Sequence, residues 1–308
     1  TVVGERLALI TGAEWGLIAS GCAAAIKHVT IACVTGGNPE KLIRVPDLTG
    51  LDKTQVIIPR HSRNVYDHAV RNVGVEIVMV ETPEELEAAI NPRTAMIYLT
   101  TGRADAIGQP LSLEVIAEVA RPKDIPILAD AAAENLTIPP VHLQRGATFV
   151  AYSGGKALCG PQAAGIVLGR KDILISAWQA SSPHHGPGRD DKIGKEEVMG
   201  MMAAVEAWVT RDHDGEWESW LGLLGNISER VADIPSLTTE VVEPTGLNNR
   251  APTLVISWDP EALHITGEEV AEDFARNKPR VAVGSGGGDG RACIRITPSQ
   301  MQPGNDVV

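Results

Sequence analysis

The sequence predicts an α/β fold: a mostly parallel central sheet with helices on both faces, followed by a smaller α+β lobe. Three observations predict it. Apolar runs bounded by Gly or Pro alternate with charged stretches of helical period over most of the length. The chain is long enough to bury a large core, with 308 residues, 44% of them hydrophobic and 21% charged. Beyond Trp208 the texture changes to short strands around a single helix. The lobes are therefore expected at residues 1–205 and 206–308.

In chain order, the apolar runs place strands at residues 15–19, 55–58, 76–80, 95–100, 125–129, 148–152 and 165–168. Periodic stretches between them place helices at 23–34, 65–72, 83–90, 113–120 and 195–208. An acidic, Trp-bearing helix at 215–233 leads into strands at 237–242 and 253–258, a helix at 266–275, and strands at 280–283 and 292–296. The glycine-rich segment 284–290 reads as a mobile loop and lacks the spacing of a phosphate loop.

Charge and cysteine content exclude several partners. With 27 Lys+Arg against 39 Asp+Glu, the formal charge of -12 repels a phosphate backbone, so no nucleic acid is expected. No apolar run approaches the roughly 20 residues of a membrane-spanning helix, so neither is a membrane. Cys22, Cys33, Cys159 and Cys293 form no CxxC pair, and a core of this size needs no disulfides, which fits a reducing cytoplasm. The chain opens at Thr1 without Met and stops at Asp306-Val307-Val308 in what reads as a starting helix, so residues, an N-terminal segment among them, are expected to be missing.

Three pieces carry chemistry. In Tyr152-Ser153-Gly154-Gly155-Lys156 a strand runs into a turn of small residues that presents one lysine and lets another molecule approach the backbone. A solvated loop lysine reads the same way. Ile125 to Asp130 is an apolar strand ending in one carboxylate, where open α/β sheets bind ligands, although an Asp helix cap explains those letters too. One crossover separates Asp130 from Lys156, so both tips can face one crevice. In Ala19-Ser20-Gly21-Cys22-Ala23 a strand turns into a helix start that offers free N–H groups to an anion, or an ordinary Ser cap. Together they supply an amine for a Schiff base, a carboxylate for a ring nitrogen and an anion cradle, which are the needs of pyridoxal 5'-phosphate.

The segments SGGKALCGPQAAG, DAAAEN, ASGCAAA, RHSRNVYDHA and GRDDKIGKEEVMGMMAAVE resemble the selenocysteine-synthase-like branch of fold-type I pyridoxal-phosphate enzymes, which includes D-glucosaminate-6-phosphate ammonia-lyase-type proteins. The resemblance runs from about Gly12 to Glu206, and more loosely through Arg295-Ile296-Thr297-Pro298. It implies that Lys156 is the Schiff-base lysine and moves the Cα proton, that Asp130 pairs with the ring nitrogen, and that Ser20, Gly21, Cys22 and Ser153 hold the phosphate. It places His61 as the ring stacked on the cofactor, against the alternative of a loop histidine. Tyr66 and His68 fall at spacings that suit a helix face pointing back to the site, but a core Tyr and a surface His are the expected assignments. Arg295 resembles the arginine that grips a substrate carboxylate, while Arg60 and Arg189 are further anion-binding candidates. Arg189 and Lys192 suit a phosphate of the cofactor or of a substrate. The run with His184, His185, Asp190 and Asp191 matches no familiar ligand spacing, so no metal is expected.

The implied activity is a lyase on a small hydroxyamino acid or amino sugar acid, by Cα deprotonation and β-elimination with release of ammonia and a 2-oxo acid. A selenocysteine-synthase-type transferase on seryl-tRNA conflicts with the negative charge. Racemase, aminotransferase and aldolase reactions use the same parts, and a catalytically silent scaffold of this fold is the non-enzyme alternative. The family also implies a homodimer or higher homo-oligomer.

Overall fold

The protein, as a computed structural model, describes residues 2–102, 107–248 and 251–308. The chain divides into two units, Thr1–Thr210 and Arg211–Val308.

Seven short strands form the first unit's sheet: β1 (Trp15–Ala19), β2 (Gln55–Pro59), β3 (Glu76–Val80), β4 (Thr94–Thr100), β5 (Ile127–Asp130), β6 (Phe149–Ser153) and β7 (Gly165–Gly169). Their order is β1-β7-β6-β5-β4-β2-β3, and every pairing is parallel except those of β7, which runs against both neighbours. Around the sheet lie α1 (Val2–Thr11), α2 (Gly21–Thr35), α3 (Pro39–Leu42), α4 (His68–Arg71), α5 (Pro83–Ala89), α6 (Leu113–Ala120), α7 (Val141–Arg145), α8 (Lys171–Gln179) and α9 (Lys195–Thr210). The sheet is apolar on both faces because each face has its own core. Phe149 and Ala151 of β6 pack with α2 and α8 residues such as Val29 and Leu174. Val150 and Tyr152, one residue out of phase, pack with Ile116 of α6 and Met201 of α9. Side chains alternate across a strand, so continuous apolar runs are what a sheet covered on both faces requires. Each fully buried Ile or Leu contributes roughly 1.5–3 kcal/mol, which holds the strand tips in place.

Most expected elements are found within about two residues of their expected bounds, and two differ for a physical reason. The strand expected at 125–129 begins at Ile127, since Pro126 has no N–H for the ladder, and it extends to Asp130. The helix expected at 65–72 is a 3₁₀ turn, Val65–Asp67, followed by α4. There the Asn64 side chain accepts from the Tyr66 N–H at 2.8 Å and tightens the first turn.

The second unit has β8 (Thr238–Val242), β9 (Thr253–Trp258), β10 (Gly284–Gly288) and β11 (Arg291–Ile296) in the order β10-β11-β9-β8, all antiparallel. Its helices are α10 (His213–Val231), α11 (Pro260–Leu263) and α12 (Gly267–Arg276). Leu254, Ile256 and Trp258 of β9 and Ala292 and Ile294 of β11 pack with Leu224 of α10. The expected strand at 280–283 and the expected loop at 284–290 are both corrected. The strand is the glycine segment itself, Gly284 to Gly288 paired residue by residue with Arg295 to Arg291. Glycine is favoured at 287, where a Cβ would lie 2.7 Å from the Arg291 carbonyl oxygen, whereas at Gly286 it would meet only the movable end of the exposed Arg295 side chain. Ladder bonds use backbone alone, so a strand poor in side chains still pairs.

Candidate active site

Register brings the informative residues to one edge of the first sheet. Ala19 and Ser153 both stand opposite Gly165, and Asp130 stands beside Ala151 and Thr100. The carboxyl ends of β1, β4, β5 and β6 therefore lie along one rim, where open α/β sheets hold ligands.

Asp130 is 5% exposed. Its Oδ2 accepts from the Tyr98 hydroxyl at 2.7 Å, and its Oδ1 accepts from the Ala132 N–H at 3.1 Å and the Cys22 thiol at 3.5 Å. Burial raises the Asp130 pKa, opposed by these donors and by the Lys156 ammonium. Burial and the Asp130 carboxylate push the Cys22 thiol well up, so it stays a neutral donor. Tyr98 is raised for the same two reasons.

Lys156 lies in the loop between β6 and β7, exposed, with no hydrogen-bond partner for its amine among the described residues. Its charge favours the Asp130 carboxylate and lowers the pKa of the Cys22 thiol, so the amine lies on the same side of the sheet rim as both. The loop is wound on itself: Gly154 N–H donates to Ala164 O at 2.8 Å and Gly160 N–H to Gly154 O at 2.8 Å.

Ser20 precedes α2, and its hydroxyl makes no capping bond, so the first N–H groups of the helix remain available to an anion. Gly165 lets this cradle sit against the sheet. A Cβ there would lie 2.5 Å from both the Cys22 nitrogen and the Gly21 carbonyl carbon. Gly165→Ala should therefore cost about 1–3 kcal/mol of stability and weaken cofactor retention. Thermal melts with and without added cofactor check this; an unchanged cofactor Kd would remove the cradle from the site.

His61 sits half-buried in the 3₁₀ turn Arg60–Ser62 that follows β2. The turn is tied to the rim: Thr100 N–H donates to Ser62 Oγ at 3.1 Å, Thr100 Oγ1 to Ser62 O at 3.2 Å, and Asn64 Nδ2 to Thr100 Oγ1 at 2.9 Å. Arg60 is ion-paired with Glu81. Tyr66 is 62% exposed, which corrects the core reading, and His68 lies on the surface as an exposed residue beside Asn72.

The 181–195 run is held by charges. Asp191 meets the buried His28 at 3.0 Å and Lys27 at 3.3 Å, and Asp190 meets Lys27 at 2.6 Å. His184 stacks edge-on against Trp178, with ring centroids 4.6 Å apart, and His185 is exposed. Among the described residues, no cluster of His, Cys, Asp and Glu is arranged to hold a metal. Arg189 is exposed and donates to Ser182 Oγ and Pro183 O, both at 3.3 Å. Lys192 is exposed, and Lys195 lies 4.0 Å from Glu196. Arg295 belongs to the second unit, where it donates to Ser285 O at 3.4 Å.

Sequence reading missed Tyr98, Thr100, Ser62, Asn64 and Gly165. Tyr98 and Thr100 did carry a signal: two polar side chains two residues apart, hence on one face, in an otherwise apolar strand.

An amine on the loop after one strand, a buried carboxylate at the tip of its neighbour, and an open helix start fit pyridoxal 5'-phosphate: Schiff-base partner, ring-nitrogen partner and phosphate cradle. The sheet order is that of the fold-type I pyridoxal-phosphate enzymes, and these residues fit that cofactor. The Aminotransferase class-V family matches residues 62–188, which include Tyr98, Asp130, Ser153 and Lys156. D-glucosaminate-6-phosphate ammonia lyase of Salmonella typhimurium is 32% identical over 247 residues, covering 77% of this chain and 64% of that protein. The solved structure of D-glucosaminate-6-phosphate ammonia-lyase superposes with a TM-score of 0.84 at 24% identity, over 99% of this chain and 82% of that one. The 5'-C-glycyluridine monooxygenase-decarboxylase of a Streptomyces species is 26% identical over 90% of this chain and 70% of its own length. The L-seryl-tRNA(Sec) selenium transferase of Moorella thermoacetica is 24% identical over 80% of this chain and 49% of its own length. The chain therefore spans less than two thirds of the ammonia lyase and about half of the selenium transferase. The chain is thus similar to pyridoxal-phosphate enzymes of the selenocysteine-synthase-like branch and shares the fold of D-glucosaminate-6-phosphate ammonia-lyase.

Proposed function

We propose that the chain is the catalytic part of an ammonia lyase that acts on a small hydroxyamino acid or a phosphorylated amino sugar acid. The observation that carries this is the buried Asp130 at the tip of β5, with Lys156 in the loop after neighbouring β6, in a chain 32% identical to D-glucosaminate-6-phosphate ammonia lyase. When bound, the cofactor supplies an electron sink for a carbanion at Cα. Lys156 would hold the cofactor through its amine and would take the Cα proton. Asp130 would keep the ring nitrogen protonated. Ser20, Gly21, Cys22 and Ser153 would hold the phosphate from the α2 end. His61 would lie against the ring, on a turn pinned by Ser62, Asn64 and Thr100. Arg60, Arg189 and Arg295 are the candidate substrate-anion ligands. The substrate loses its Cα proton and its β-hydroxyl, which leaves as water; one water is taken up at Cα as ammonia departs, so the net products are ammonia and a 2-oxo acid.

Among the described residues no helix is long and apolar enough to cross a membrane. The four cysteines are all outside disulfides, which supports a reducing compartment such as the cytoplasm. Exposed Val2 and Leu9 of α1 and Met199 of α9 support a homodimer. The seryl-tRNA reading is favoured by the likeness to the selenium transferase and opposed by the charge of -12. The deciding experiment offers the cofactor-loaded protein a panel of D- and L-hydroxyamino acids and phosphorylated amino sugar acids while ammonia and 2-oxo acid are assayed. Turnover of at least one is expected; a silent panel with the cofactor bound sinks the lyase reading, and salt-sensitive tRNA binding would replace it with the transferase.

A further inference from the structure

We propose that Tyr98 is a positioning residue that keeps Asp130 ionised in its dry pocket, so that the shared proton stays on the ring nitrogen rather than on the carboxylate. The inference rests on the cofactor reading of Asp130 and Lys156 and extends it to the residue whose hydroxyl donates to that carboxylate.

The physical problem is specific to a buried acid. A carboxylate at 5% exposure loses most of its hydration, and desolvation favours the protonated form. A neutral Asp130 facing a neutral ring nitrogen would give the ring far less electron-withdrawing power than a carboxylate facing a charged one. Something must restore the anion, and the groups around Asp130 can be enumerated. From β4 comes the Tyr98 hydroxyl at 2.7 Å, from α2 the Cys22 thiol at 3.5 Å, from the chain just past β5 the Ala132 N–H at 3.1 Å, and from the β6–β7 loop the Lys156 ammonium.

These four are not equivalent. The Lys156 charge is spent once the lysine forms its Schiff base or enters the proton transfer, so it cannot be a constant support. The thiol is a weak donor at long range. The backbone N–H is a fixed neutral donor. Tyr98 alone gives a short O–H···O⁻ bond of the strong, charge-assisted kind. Tyr98 is itself fully buried and so is raised in pKa, and its hydroxyl therefore remains a donor across the working pH range. Its phenol is held by the β4 core and its oxygen lies 3.5 Å from Thr100 Oγ1, whose own hydroxyl is committed to Ser62 O at 3.2 Å, so the Tyr98 proton is directed at Asp130.

The test reads Asp130 directly. In cofactor-free protein carrying ¹³C-labelled aspartate, with the Asp130 signal assigned by its loss in Asp130→Asn, Tyr98→Phe should raise the Asp130 titration midpoint by about 1–2 pH units. Cys22→Ala should raise it by less. In the loaded enzyme, Tyr98→Phe should lower kcat about 10- to 100-fold with little change in KM, and the visible band of the bound cofactor should shift its pH dependence. A merely structural Tyr98 would lower Tm and leave the titration in place. An unmoved Asp130 midpoint in a folded Tyr98→Phe protein overturns the proposal, as does a moved midpoint with unchanged kcat. Full activity in Asp130→Asn would instead overturn the cofactor reading itself, so the two failures are distinguishable.

Discussion

Lys156→Ala is expected to abolish the covalent bond to the cofactor and lower turnover by about 10⁴-fold, because one amine serves as both Schiff-base partner and general base. Wild type incubated with pyridoxal phosphate should gain a visible band, and borohydride should fix the cofactor on the peptide carrying Lys156. The variant should show neither. Lys156 is exposed and without a hydrogen-bond partner among the described residues, so its removal strands no buried group and Tm should move by less than about 0.5 kcal/mol equivalent. A folded Lys156→Ala protein that still traps cofactor would assign the chemistry to another lysine.

Asp130→Asn carries the second large effect, and its stability consequence has a sign opposite to that of most surface carboxylates. Activity should fall by about 10²- to 10³-fold, since an amide cannot hold a proton on the ring nitrogen. Burial raises the folded-state pKa of Asp130 above its unfolded value near 4. A raised carboxylate binds a proton more readily in the folded than in the unfolded state, so its stability contribution is present at acid pH and is lost as the pH climbs through the raised value. In cofactor-free protein, wild type should therefore lose Tm relative to Asp130→Asn as the pH rises from about 4 toward the raised value. Parallel melts that instead show wild type gaining on the variant over that interval would mean the donors outweigh burial.

The layered α/β unit was legible because strands covered on both faces must be apolar without interruption, and runs such as 55–58 and 165–168 are. Lys156 and Asp130 were legible because each is a lone charge at the end of such a run. The donors to Asp130 were not: the Tyr98 contact spans 32 positions and is set by the β4–β5 register, which no local pattern encodes. The second unit's edge was misread for a related reason. Gly284 to Gly288 has the composition of a flexible tether, yet β11 supplies a ladder for its backbone and its Arg291 carbonyl leaves no room for a Cβ at Gly287. Arg60, an expected substrate ligand, faces Glu81, a partner that lies on a neighbouring strand tip.

The reversed direction of β7 has a consequence for how this catalyst tolerates change. A parallel neighbour would have needed a helical crossover, and the lysine would then sit at the mouth of a long excursion. Here both stems of its turn are clamped in adjacent strands, Ser153 directly across from Gly165, and Gly165 in turn abuts the peptide at the head of α2. A single inserted or deleted residue between positions 154 and 164 would thus displace Lys156 and the start of α2 together, whereas lengthening the chain at the opposite rim of the sheet would leave both where they are. Divergence of substrate choice within this lineage is expected to avoid that hairpin.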